Sequence, residues 1–153
     1  MGTLKPPSRK SCYNFRVVEI TKVLDGDTID VIIDLGFDLY KKERVRIAGV
    51  DTPEKRTTNN EEKELGIDAT NWLKKELEDA IAGEEDLVIR TELEGGFGKY
   101  GRLLGWLYLG IDAEKSLNEL MIENGYAWSY DGGTKQKNFE ELKEIRRAKG
   151  TLV

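Results

Sequence analysis

The sequence predicts a small α+β domain built on a closed or nearly closed β-barrel. Two observations carry this: five short stretches read as strands, the first two rich in Val, Ile and Thr, and a stretch of helical period separates the third from the fourth, with two more helical stretches at the end. At 153 residues the chain can bury one hydrophobic core but not two of ordinary size. One domain is therefore expected over residues 15–153, behind a flexible tail over residues 1–14 that contains Pro6 and Pro7.

The first strand is expected in RVVEITKVL, residues 16–24, and the second in TIDVIID, residues 28–34, with a DGD turn between them. A third follows in ERVRIAGV, residues 43–50, where apolar and charged residues alternate. In EEKELGIDATNWLKKELEDAIAG the period changes: Leu65, Ala69, Trp72, Leu73, Leu77 and Ala80 share one face, and Gly83 follows the last of them, which predicts a helix with a glycine stop. DLVIRTEL and RLLGWLYL are the fourth and fifth strands, flanking the glycine-rich loop EGGFGKYG. Leu117, Leu120 and Met121 mark a short helix closed by Gly125, and Phe139, Leu142, Ile145 and Ala148 mark the last one.

Composition excludes several kinds of chemistry. Charged residues make up 35% of the chain, above the usual quarter, and 29 acids against 24 bases leave a formal charge of -5. A uniformly basic surface that coats nucleic acid is excluded, whereas a local basic groove or a metal-loaded acidic pocket is not. A single cysteine, Cys12, permits neither an internal disulfide nor a cysteine-based zinc cluster. The chain has no histidine, which removes Ser-His-Asp hydrolysis, the imidazole-dependent nucleases and zinc sites of the H-E-x-x-H kind. The N-terminus has no apolar stretch of signal-peptide length and nothing further along is long enough to span a bilayer, so the expectation is a soluble cytoplasmic protein, secreted only if a leader was removed.

Chemistry concentrates in two short motifs. In GVDTPE, residues 49–54, Asp51 stands where the third strand ends, and Pro53 holds Thr52 extended so that its carbonyl is aimed. In DGDT, Asp27 opens the second strand just after a turn. Each motif alone is ordinary turn chemistry. Together they supply the carboxylate and carbonyl oxygens that a hard cation prefers. Arg46 lies inside the third strand and Arg102 begins the fifth; two guanidinium forks beside a metal pocket are what a phosphodiester requires. Arg46 and Asp51 are five residues apart, so a regular strand would send them to opposite faces. The strand must therefore break or bulge between them, and Gly49 is the residue that permits it.

DGDT, then RVRIAGVDTPE, then KYGR, in that order around the GIDATNWLKKEL helix, resemble the staphylococcal nuclease (thermonuclease) family over roughly residues 16–148. The resemblance implies a five-stranded OB-fold β-barrel with three α-helices. It also implies a calcium-dependent phosphodiesterase that cuts DNA and RNA, single-stranded or locally opened, leaving 3′-phosphate and 5′-hydroxyl ends. By matching motif position Asp27 and Asp51 are the calcium carboxylates, with the Thr52 carbonyl, and Glu54 is the general base or water-orienting carboxylate. Arg46 and Arg102 bind the phosphate. Lys99 and Tyr100 either contact a terminal phosphate or form a polar loop with one packing aromatic, and Tyr130, which alternates with Tyr126 and Trp128, either stacks a base or belongs to the core. Asn118 matches a position that holds a loop by hydrogen bonds. A monomer without membrane contact is expected. The alternative is a non-catalytic OB-fold module that binds single strands or a protein partner. The chain ends RRAKGTLV, without the aromatic that many relatives place near this point.

Overall fold

Apolar residues at alternate positions give each strand one inward face, and in the computed structural model those faces close into a barrel. The structure describes residues 6, 12–92, 103–134 and 137–152. In chain order the elements are β1 (Cys12–Asp25), β2 (Thr28–Gly36), β3 (Leu39–Ile47), β4 (Val50–Asp51), α1 (Asn60–Ala82), β5 (Leu87–Glu92), β6 (Leu103–Leu109), α2 (Leu117–Glu123), β7 (Trp128–Ser129) and α3 (Phe139–Ala148). The barrel runs β1-β2-β3-β6-β5, and β5 pairs back onto β1 to close it. Among the described residues only the β3–β6 pairing within the barrel is parallel. The expected α+β class, OB-type barrel and three helices are all present. β1 borders two strands because its register shifts at Val17/Glu19, Ile20/Lys22 and Val23/Asp25, and each shift bends it further round the barrel.

Val17, Ile29, Val31, Ile33, Val45, Ile47, Ile89 and Leu107 form one buried core with Leu73 and Leu77 of α1 and with Leu117 and Met121 of α2. Asn59 caps α1 by accepting a hydrogen bond from the Glu62 N–H at 3.1 Å, and Glu61 and Glu62 sit in the first turn, where the helix dipole favours acids. No described helix is long and apolar enough to cross a membrane.

The last helix is anchored by a cation. Arg146 is 4% exposed; its Nη1 pairs with Asp68 Oδ2 of α1 at 2.7 Å and its Nη2 donates to the Thr151 carbonyl at 2.6 Å. Its guanidinium also lies 4.7 Å from the centre of the Tyr126 ring, which stacks on Trp72 of α1 at 5.2 Å. This Arg–Tyr–Trp stack holds α3 to α1.

Asn118 ties the strand that leaves the barrel to the rest. Its Oδ1 accepts from the Leu107 N–H at 3.0 Å, and its Nδ2 donates to the carbonyls of Ala48 at 2.7 Å and Gly105 at 3.0 Å. Being 1% exposed, these groups have no water to fall back on. Asn118→Ala should therefore lower stability by on the order of 3 kcal/mol. Urea unfolding checks this, and an unchanged midpoint would contradict the clamp.

Candidate active site

Two turns meet on the surface of α1. The first joins β1 to β2: Asp25 pairs with Thr28, and the Asp27 N–H donates to Asp25 Oδ1 at 3.1 Å, a turn that Asp side chains favour. Gly26 faces Thr52 and Ala69 so closely that a Cβ there would lie 2.9 Å from Thr52 Cγ2 and 3.0 Å from Ala69 Cβ. The second turn leaves β3. Gly49 has φ of +77°, a conformation that only glycine adopts without strain, and it reverses the chain between Ile47 and Val50. This is the break that the spacing of Arg46 and Asp51 requires, and it turns both side chains toward one pocket.

Asp27, Arg46, Asp51 and Thr52 come together there. Asp27 Oδ2 accepts hydrogen bonds from Thr52 Oγ1 at 3.1 Å and from its N–H at 3.4 Å, and Oδ1 accepts from Thr28 Oγ1 at 3.1 Å. Arg46 Nη2 lies 3.5 Å from Asp27 Oδ2 and 4.0 Å from Asp51 Oδ1, so one nitrogen stands between two carboxylates. The same guanidinium donates to the Ile47 carbonyl at 2.7 Å and the Val50 carbonyl at 2.8 Å, which fixes the turn around Gly49. Asp51 is 3% exposed and pairs with Trp128 in the short β4–β7 ladder. Burial pushes the Asp27 carboxyl up, but the Arg46 charge and the hydrogen bonds from Asp25, Thr28 and Thr52 outweigh it, so Asp27 stays ionised below the ordinary carboxylate range. Its neighbour takes the opposite course: burial, then the hydrogen bond and charge of Asp27, push Asp25 from its ordinary 3.8 to about 6. The pocket is thus rich in negative charge.

Glu54 is exposed on the loop beyond Pro53, near enough for its charge to act on Asp25. Tyr130 is half-buried beside the turn; its N–H donates to the Gly49 carbonyl at 2.9 Å and its hydroxyl to the Gly133 carbonyl at 3.0 Å. Tyr126 and Trp128 are core residues. Lys99, Tyr100 and Arg102 lie outside the described residues. Among the described residues no three His, Cys, Asp or Glu side chains gather as a metal cluster.

Sequence reasoning missed three members of this site. Lys55 Nζ donates to the Leu24 carbonyl at 2.8 Å and straps the loop to the end of β1. Asp25 shapes the first turn. Gly66 sits within α1 directly under the loop: a Cβ there would lie 2.7 Å from the Pro53 carbonyl and 2.8 Å from the Glu54 carbonyl. A glycine inside a helix of good helix formers was the available signal, since it weakens the helix by about 1 kcal/mol and needs a reason. In an open helix Gly66→Ala would stabilise by about that amount. Here the substitution should destabilise, because backbone must move to admit the methyl group. A rise in Tm would contradict the contact.

Fold and site together define an OB-barrel protein whose acidic pocket is spanned by an arginine. The chain belongs to the staphylococcal nuclease homologue family, whose model matches residues 44–151. It is 30% identical over 138 residues to the micrococcal nuclease of Shigella flexneri, covering 84% of this chain and 68% of that protein. With the endonuclease YncB of Bacillus subtilis (strain 168) it shares 33% over 137 residues, 88% of this chain and 57% of that one. With the thermonuclease of Staphylococcus intermedius it shares 35% over 124 residues, 79% and 65% of the two chains.

Proposed function

We propose that this protein is a calcium-dependent nuclease that hydrolyses DNA and RNA to products with 3′-phosphate and 5′-hydroxyl ends. The observation that carries this reading is the single Arg46 nitrogen between the Asp27 and Asp51 carboxylates, which puts a phosphate-binding cation on the rim of a two-acid pocket. Family membership and the nuclease names of the relatives support it.

The donor set fits calcium. Carboxylates and backbone carbonyls are hard oxygen ligands, and the chain has no histidine to favour a softer metal. Asp27, Asp51 and the Thr52 carbonyl would hold the ion. Bound there, calcium supplies positive charge against the scissile phosphate and increases the acidity of nearby water.

The chain's own groups do the rest. Of the five N–H donors of Arg46, those used on Ile47 and Val50 hold the turn, and we assign the remainder to a phosphate's non-bridging oxygens. Arg102 is assigned the same task, with Lys99 and Tyr100 for a terminal phosphate and Tyr130 for a base. Glu54 takes the proton of the attacking water. A new P–O bond forms, the P–O5′ bond breaks, and the 5′ oxygen leaves with a proton from solvent. Charge that grows on the phosphoryl oxygens meets guanidinium groups already in place.

The test is incubation of the pure protein with denatured DNA, in calcium and in chelator. Cleavage should require calcium, with magnesium a poor substitute because it is smaller and demands strict octahedral geometry. Glu54→Gln keeps the shape but loses the base, so it should cut turnover by on the order of a hundredfold or more, without recovery at saturating calcium. Full activity in chelator, or wild-type turnover by Glu54→Gln, would overturn the reading.

A further inference from the structure

The loop that carries Glu54 has few restraints. Residues 53–58 belong to no strand or helix and make no backbone–backbone hydrogen bond among the described residues. Among the same residues no hydrogen bond or ion pair fixes the Glu54 carboxylate. Its direction is therefore set by the backbone that bears it. Packing on α1 supplies one restraint, since a Cβ at Gly66 would lie 2.8 Å from the Glu54 carbonyl. The other is Lys55. Its Nζ donates to the Leu24 carbonyl at 2.8 Å, 31 positions away along the chain, and among the described residues it is the one hydrogen bond from residues 53–58 that reaches another element.

The acceptor is available because β1 is irregular there. Val23 pairs with Ile29 and Asp25 with Thr28, so Leu24 is the extra residue of a bulge and has no partner opposite it on β2. A carbonyl left out of a ladder takes a donor from elsewhere, and the half-buried Lys55 supplies an ammonium. A lysine beside solvent ordinarily keeps its rotamer freedom and extends into water; this one has given up that freedom to turn back onto the backbone. Leu24 lies three residues before Asp27, and Lys55 follows Glu54 directly. The contact thus joins the turn of a proposed metal carboxylate to the loop of the proposed base.

We propose that Lys55 is a positioning residue for Glu54: its bond to Leu24 fixes the Glu54 backbone relative to the Asp27 turn, so that the carboxylate meets the attacking water at a set distance from the cation site. Lys55 acts through Glu54 and touches neither substrate nor ion in this role. What the contact needs is a donor of sufficient reach, which arginine also provides and methionine, of similar length, does not. The inference rests on the nuclease reading, in which Glu54 is the base.

The test compares the wild type with Lys55→Met, Lys55→Arg, Glu54→Gln and the double variant Glu54→Gln/Lys55→Met. Measured for each are kcat and KM on denatured DNA, calcium affinity by calorimetry, and the NMR order parameter of the residue 54 amide in chelator. Lys55→Met should lose on the order of tenfold in kcat, short of the roughly hundredfold that a misplacement of about 1 Å can cost. KM and calcium affinity should stay within about twofold of the wild type, because the interaction serves only the chemical step. Lys55→Arg should recover most of the loss. In the Glu54→Gln background the lysine change should cost no more than about twofold further, since nothing remains for it to position. The order parameter should fall from about 0.85 toward about 0.6 in Lys55→Met and return in Lys55→Arg. Equal kcat for the wild type and Lys55→Met overturns the proposal. So does a rise in KM alone, which marks a phosphate contact, or a loss that saturating calcium repairs, which marks support of the metal turn. A full further tenfold loss in the Glu54→Gln background overturns it as well. A wild type that leaves denatured DNA uncut in calcium sinks the nuclease reading, and the order parameters then decide the tether alone: lower in Lys55→Met upholds it, unchanged overturns it.

Discussion

Two carboxylates in one water-poor pocket repel each other, and the guanidinium of Arg46 makes their approach tolerable. Asp51 is 3% exposed, and Asp27 accepts several hydrogen bonds beside it, so neither charge is well screened by solvent. Arg46 offsets both charges at 3.5 and 4.0 Å, and with its other donors it ties down the turn that delivers Asp51. One side chain thus links the electrostatics of the pocket to the backbone geometry that creates it.

The rest of the fold serves that approach. A closed barrel fixes the ends of β1, β2 and β3, and α1 supplies the surface on which the two turns rest. The contacts are close because small residues stand at them: Gly26 against Thr52 and Ala69, and Gly66 against the Pro53 and Glu54 backbone. Asn118 then holds Ala48, next to the reversal, through a bond of 2.7 Å. Lys55 straps the far side of the loop to Leu24. Glu54 remains exposed at the end of this scaffold, so its backbone is positioned while its side chain can meet a substrate.

Much of this was legible in the sequence because local pattern and global fold agree. Period-2 runs became barrel strands, and the face of α1 led by Leu65, Leu73 and Leu77 is buried as its spacing implies. Parity required a break between Arg46 and Asp51, since residues five apart cannot share a face of a regular strand, and the glycine between them marked where it falls. What escaped were contacts between segments distant along the chain. Gly66 and Pro53 are thirteen residues apart, and no local rule relates a helical glycine to a loop carbonyl. Arg146 at the end of α3 is buried because Asp68, Thr151 and Tyr126 surround it, two of them distant along the chain. The two-residue β4–β7 ladder is too short to leave a periodic signal.

The central claim is that Arg46 compensates the charges of Asp27 and Asp51 in the place where a cation would also do so. Thermal unfolding of Arg46→Gln, compared with the wild type in chelator and in calcium, tests it most directly. In chelator the variant should be less stable by about 3–5 kcal/mol, the range for removing one partner from a buried ionic group. Calcium should raise both transitions and close most of the gap, because the ion takes over the missing positive charge. A variant as stable as the wild type in chelator would contradict the account. So would a gap that calcium leaves unchanged, since the arginine would then act only through its hydrogen bonds to Ile47 and Val50.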